Sequence, residues 1–471
     1  MPETKITFGE WLPDQPGIAG ALQAAYNVYP QQVGYGPVPS TSDYSNAASE
    51  DLNGIFSGKI ASASSLFAGG ATKLFKYDSA TRNLSNVSKA GGYTNSKWRF
   101  AQFGDVVLAT NDNAKIQAFT LNSSSAFADV AAAAPVAAYI TVVRDFVVAA
   151  NIASYPNRVQ WSDINNEANW TAGPTSQSDY QDIPDGGDIQ GITGGEFGLV
   201  LLEKAIVRMS YIGSPLFFQF DTISREIGCY EPGSVCQYGN MTFFLSDDGF
   251  YMCDGQKVVP IGAEKVDRWF WDDILPSYAN FSSAVDPVKK VVIWCYQSVS
   301  GGYSLLIYNW QLGRWSYGTT TANYIASAAT PGVTLEGLDL FSMSIDALPA
   351  SLDSRQWLGG RLIFSGASGA KIVTFEGANQ SAFIETGDLS SAPSIITLAR
   401  PQVDNGSATV AVASREMLDD TIFYSTAVAA SNENRVSLRS SGKYHRIKVV
   451  PTGNWTTVAG VDINVVPRGR R

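Results

Sequence analysis

The stretch MTFFLSDDGFYMCDGQKVVPIG, residues 241–262, decides the fold. Asp248-Gly249 and Asp254-Gly255 divide it into three short apolar runs, MTFFLS, FYMC and KVVPI. Asp-Gly between apolar runs is a strong hairpin signal, because a tight two-residue turn favours positive φ at both central positions. Two such turns give three antiparallel strands. The carboxylates and thiol of the stretch would also suit a metal or catalytic cluster. Turn chemistry accounts for Asp248, Gly249, Asp254 and Gly255 without one.

The pattern recurs along the chain. Apolar runs followed by a turn, a second strand and a polar loop begin at Leu66, Val107, Phe146, Leu199, Met241, Val291 and Leu362. Most steps lie near the period of about 40–50 residues typical of propeller blades. The last step is long, and an insertion at about 319–357, holding one helical turn, explains it. A blade cannot bury both faces alone, so neighbours must close around it. The fold expected is all-β: a β-propeller of six or seven blades over residues 62–385. Residues 1–61, rich in Pro, Gly and Tyr, read as an extended N-terminal arm lying on a subunit or partner, with a short helix near Ile18–Tyr26. Residues 386–471 alternate apolar and polar positions, and read as a C-terminal β module.

Composition narrows the function. Charged residues are only 16% and aromatics 12%, with 43 glycines, which suits short strands and tight turns rather than disorder. The net charge of −10 makes the chain a poor general clamp for DNA. There is no basic-then-apolar leader at the start and no apolar run of membrane-spanning length, so no membrane partner is expected. Four cysteines, Cys229, Cys236, Cys253 and Cys295, form no C-x-x-C pair and read as buried thiols. His445 is the single histidine, which excludes sites built on several His ligands.

Motifs for chemistry are weak. Ser57-Gly58-Lys59 approaches a phosphate-binding loop, but Ile60 stands where a magnesium-binding Ser or Thr belongs. Asp182, Asp185 and Asp188 in DIPDGGDIQG offer oxygen ligands for calcium without the EF-hand pattern. Trp161, Trp170, Trp269, Trp271, Trp294, Trp310 and Trp315 could stack on sugars, but aromatics beside strands are ordinary packing residues. No catalytic, cofactor-binding or metal-binding residue is expected, and the chain is read as a non-enzyme. Propellers also host glycosidases and sialidases, which need paired carboxylates and, for sialidases, several arginines. That activity, or binding of a surface glycan or receptor, is the alternative.

An ordered series of motifs carries a resemblance: NVYP, KLFKYD, GGYTNSKWRFAQFGD, RVQWSD, REIGCYEPGSV, DGFYMCDGQKVVPIGAEKVDRW, YNWQLGRWS, SIDALPASLDSRQW and SGKYHRIKVVPTGNW. It is similar to the β-propeller tail hub, or nozzle, proteins of short-tailed bacteriophages, the packaged-DNA stabilisation proteins. The resemblance implies a structural protein of the virion tail, assembled in the host cytoplasm as a homo-oligomeric ring, commonly a hexamer. Its partners would be the portal-side adaptor, tail fibre or needle proteins, and genomic double-stranded DNA passing through without sequence-specific binding. The acidic charge suits a lumen that DNA must slide past, with Arg468, Arg470 and Arg471 kept for subunit or partner contacts.

Overall fold

The computed structural model describes residues 3–17, 20–61, 63–94, 97–277, 280–333, 335–354, 357 and 362–468. The chain is all-β and forms a six-blade propeller. Five blades are continuous in sequence, at residues 52–86, 99–129, 137–182, 189–224 and 236–260. The sixth combines residues 324–374 with the N-terminal strand Ser42–Asp43, which pairs with Lys371–Thr374 as its outer edge. Between the fifth and sixth blades a further four-stranded unit, residues 282–320, completes the ring, and it is one end of a 14-stranded sheet. The first strand of each unit is innermost, and in most neighbouring pairs it packs on the first strand of the next.

Each repeat start read from the sequence falls in the second strand of a unit: Ala63–Gly70, Val106–Asn111, Phe146–Ile152, Gly198–Leu202, Met241–Leu245, Val291–Gln297 and Leu362–Ser368. These strands are the most apolar because they are covered on both faces; all six residues of Val106–Asn111 are buried. Inner strands such as Leu52–Ile60 and Ser282–Asp286 intersperse polar residues with apolar ones, so their sequence signal is weaker.

One recurring device clamps neighbouring blades. In AQFGD, the Gln102 amide accepts from the Lys59 backbone N–H at 2.8 Å and donates to the Lys59 and Gly104 carbonyls. In CQYGN, Gln237 does the same with Gly194 and Gly239, between the fourth and fifth blades. Gly104 and Gly239 share φ +58, so the two turns are built alike. Ser57-Gly58-Lys59 is therefore part of an inner strand, Leu52–Ile60, with Lys59 held by this clamp.

The expected arm is instead woven into the protein's own core. Leu22–Tyr26 is a strand, not a helix; Ile18 and Ala19 of the expected helix lie outside the described residues. It pairs with Phe383–Thr386 and, in parallel, meets Arg314–Thr320 at Tyr26 and Tyr317. Trp11, Val28 and Tyr35 are buried, and Trp11 stacks on Tyr317 at 4.6 Å. Asp14 caps the helix Asp267–Asp273, accepting from the Arg268 and Trp269 N–H groups at 2.9 and 2.8 Å. These short segments lack a core of their own, which is why they read as an arm.

The boundaries at 62 and 386 also shift. The propeller begins with the strand Leu52–Ile60, and Phe383–Thr386 already belongs to the terminal sheet. The insertion is shorter than 319–357, since Tyr324–Ala329 is the inner strand of the sixth blade. The C-terminal strands Leu389–Asp404, Ser407–Arg415, Val436–Thr452 and Thr457–Pro467 pair with one another, and Glu3–Thr7 adds to the last. Their apolar faces, including Ile396, Val410, Ile447 and Val461, share one cluster with Trp294 and Trp315 of the joining unit. Propeller and module are thus welded by a common core and a common sheet.

Candidate functional site

Both Asp-Gly pairs lie in turns, as the sequence requires. Only the glycines take positive φ, Gly249 at +152 and Gly255 at +87. Asp254 instead accepts from the N–H groups of Gln256 and Lys257, both at 2.9 Å, an Asx turn in place of a second left-handed residue. Gly249 has a second reason. A Cβ there would stand 2.2 Å from a carboxylate oxygen of Asp267, and a Cβ on Gly262 would stand 2.0 Å from the other. The two glycines leave a seat for that carboxylate, which accepts from Phe250 N–H at 3.1 Å. Burial pushes the Asp267 carboxyl up to about 7 against that hydrogen bond, and the charges of Asp14 and Asp248 add to the rise.

Of the weak candidate motifs, Asp182 is used within the fold. Asp182 gives both carboxylate oxygens to Arg158, at 2.6 and 2.9 Å, so it is not open for calcium. Among the described residues no three His, Cys, Asp or Glu side chains group as metal ligands. Trp161, Trp170, Trp294 and Trp315 are buried, and Trp269, Trp271 and Trp310 pack half-buried against the core. His445 is buried between two hydroxyls, Ser394 Oγ on Nε2 at 2.9 Å and Ser414 Oγ on Nδ1 at 2.7 Å. Burial lowers its pKa, so it stays neutral. Arg468 pairs with Glu416 of its own chain at 3.0 Å; Arg470 and Arg471 lie outside the described residues.

Sequence reasoning did not find the site that the ring assembles. Where the inner strands begin, residues from distant positions converge on one mouth of the propeller channel and enclose a cavity of about 500 Å³. Lys97 and Arg99 enter from the second blade, with Asp112 on the hairpin beside them. Tyr139 comes from the third blade and Asn53 from the first. Glu231 lies just ahead of the fifth blade, and Asn280 ahead of the joining unit.

The segment GCYEPGS builds the Glu231 position. Pro232 opens a single 3₁₀ turn, Pro232–Ser234, and the Glu231 carboxylate caps it by accepting from Gly233 N–H at 3.0 Å. The Glu231 carbonyl accepts from Ser234 Oγ at 2.6 Å and from the Cys229 thiol at 3.3 Å. Ser234 Oγ in turn accepts from Leu245 N–H, and Trp294 Nε1 donates to the Ser234 carbonyl at 3.0 Å. Close backbone approaches require both glycines. A Cβ on Gly233 would lie 2.1 Å from the Phe281 carbonyl oxygen, and one on Gly228 would lie 2.3 Å from that of Leu202.

The electrostatics of the mouth are mixed. Burial raises the Glu231 carboxyl above its usual range, against the Gly233 N–H and the charges of Lys97 and Arg99. Crowding by the channel wall lowers the Lys97 ammonium, although the side chain still reaches solvent, and Glu231 partly restores it. Burial pushes the Tyr139 hydroxyl up to about 12, so it remains protonated. Among the described residues, the mouth is lined by two carboxylates, Asp112 and Glu231, and one arginine, Arg99. The sole local cue in the sequence was an acidic residue before Pro-Gly-Ser.

No protein-family model matches the chain, and no curated protein matches it. Among solved structures, a chain of the mitotic checkpoint complex is similar at 9% identity and a TM-score of 0.41, covering 73% of this chain and 95% of that one. The Pan2 WD40 domain of Neurospora crassa is similar at 7% identity and 0.41, covering 72% and 97%. BamB from Moraxella catarrhalis is similar at 12% identity and 0.37, covering 81% and 100%. The fold assignment rests on the sheet pairing described above.

Proposed function

We propose that the protein is a structural tail hub, or nozzle, subunit of a short-tailed phage. It would form a homo-oligomeric ring that extends the portal and adaptor channel, retains packaged DNA and conducts it at ejection. The observation that carries this reading is the weld between propeller and module. One 14-stranded sheet and one apolar cluster run from the joining unit into strands contributed by both chain ends. A block so fixed is suited to transmit load between neighbours, and closed rings are the symmetric way to line a channel. The motif series of the sequence, with REIGCYEPGSV and DGFYMCDGQ at its centre, supports the same reading. In this proposal the lumen carries net negative charge, since carboxylates stay hydrated and repel phosphates that Lys and Arg would hold.

Electron microscopy of the purified protein, with its mass measured in solution, tests this reading. Closed rings with a central lumen are expected. A monomer at all concentrations, a basic lumen, or antibody labelling of virions away from the tail would overturn it.

A further inference from the structure

The channel-mouth cavity has a feature that a structural block does not need. Lys97, Arg99, Asp112 and Glu231 converge on one cavity, yet among the described residues no ion pair joins a cation to an anion there. Elsewhere the chain closes such pairs readily, as at Arg158–Asp182 and Lys371–Asp43. Glu231 is held away from the cations by its own capping bond to Gly233 and by the hydrogen bonds that fix the Pro232–Ser234 turn. The separated charges leave room for a ligand with acceptors at one end and donors at the other.

We propose that the propeller mouth binds a carboxylated sugar unit, its carboxylate on Arg99 and Lys97 and its hydroxyls on Glu231 and Asp112. A guanidinium matches a carboxylate in a forked, two-bond geometry, and carboxylates accept from hydroxyls through several lone pairs. Tyr139, whose ring packs against the neighbouring core, also lines the cavity. A cavity of about 500 Å³ suits one or two sugar rings. The two carboxylates disfavour nucleic acid, whose phosphates Glu231 and Asp112 would repel. The inference goes beyond the structural role and stands without it.

The test uses the full chain and glucuronate as probe, with glucose and acetate as controls, read by ligand-observed NMR and calorimetry. Glucuronate is expected to bind, and both controls to bind at least tenfold more weakly. Arg99→Ala and, as a solvent-reaching second variant, Lys97→Ala are expected to weaken binding at least tenfold and about threefold, with unfolding midpoints checked alongside. Glu231→Gln is expected to weaken it several-fold. Equal binding of glucuronate and acetate overturns the sugar assignment. Failure of glucuronate to bind, or unchanged binding in folded Arg99→Ala and Lys97→Ala, overturns the site.

Discussion

The ring and the terminal module are built on opposite plans from the same kind of strand. In the ring, five blades are each one continuous piece of chain, and neighbours in sequence are neighbours in space. In the module, Glu3–Thr7 pairs with Thr457–Pro467, and Leu22–Tyr26 sits between Arg314–Thr320 and Phe383–Thr386. The ring closes by repetition; the module closes only when the two ends of the chain meet. Local units can form early and be joined, whereas contacts across the whole chain carry the entropy of closing a very long loop. The difference predicts that the module depends on the N-terminal segment far more than any blade depends on its neighbour's side chains.

The largest expected effect tests that dependence. Deleting Met1–Ser40 removes four strands of the terminal sheet and the buried Trp11 and Tyr35. Hydrogen exchange should show loss of protection throughout residues 383–467, with the blades at 99–224 retaining theirs. Protection of the module in the truncated chain would break the comparison. Next in size is Asp388→Ala. This buried carboxylate bridges Arg415 at 2.6 Å and Arg446 at 2.9 Å. Burial alone would raise its pKa, but Arg446 and Arg415 outweigh burial and hold it below the usual carboxylate range. Removing it strands two cations, at a cost of about 3–5 kcal/mol in denaturant unfolding. Because the folded pKa is depressed, the pair's contribution is present above the ordinary Asp range and is lost as pH falls through the folded pKa.

A smaller effect, of opposite sign with pH, belongs to the junction of ring and N-terminal segment. Asp267 titrates at about 7 when folded, against an ordinary value of 3.8, so the native state holds the extra proton between them. Stability contributed by that proton is present at low pH and is lost as pH rises through about 7. Asp267→Asn should therefore raise the melting temperature most at pH 8, less at pH 5, and little at about pH 3.5, below both values. No difference between pH 8 and pH 5 would show that burial does not raise this carboxyl in the folded state. The smallest effects test the blade clamps. Gln102→Ala and Gln237→Ala should each cost about 1 kcal/mol. Their costs should add, because they lie in different blade pairs. A strongly non-additive double variant would show that the clamps report on closure of the whole ring.

Legibility followed the same division. The second strand of every unit announced itself, since burial on both faces demands continuous apolar runs such as VVIWCYQ at Val291–Gln297. Inner strands such as Leu52–Ile60, with Asn53, Ser57 and Lys59 interspersed, gave no such signal. Leu22–Tyr26 read as helix because four of the five residues of LQAAY favour helix locally, and its strand partners lie hundreds of positions away. The charged mouth was equally hidden. Arg99 and Glu231 are more than a hundred residues apart, and neither stands in a catalytic motif.

The sequence by itself determined the repeated hairpin, the all-β class and the turns at Asp248-Gly249 and Asp254-Gly255. Those depend on residues a few positions apart, through backbone conformation and apolar alternation. Only the tertiary structure decided that Glu3–Thr7, Leu22–Tyr26, Val28–Pro30 and Tyr35–Pro37 are strands of a shared sheet, that Gly249 and Gly262 seat the Asp267 carboxylate, and that Lys97, Arg99, Asp112 and Glu231 line one cavity. Each of these depends on distances set by ring closure. Closure brings together side chains whose spacing along the chain carries no trace of their spacing in space.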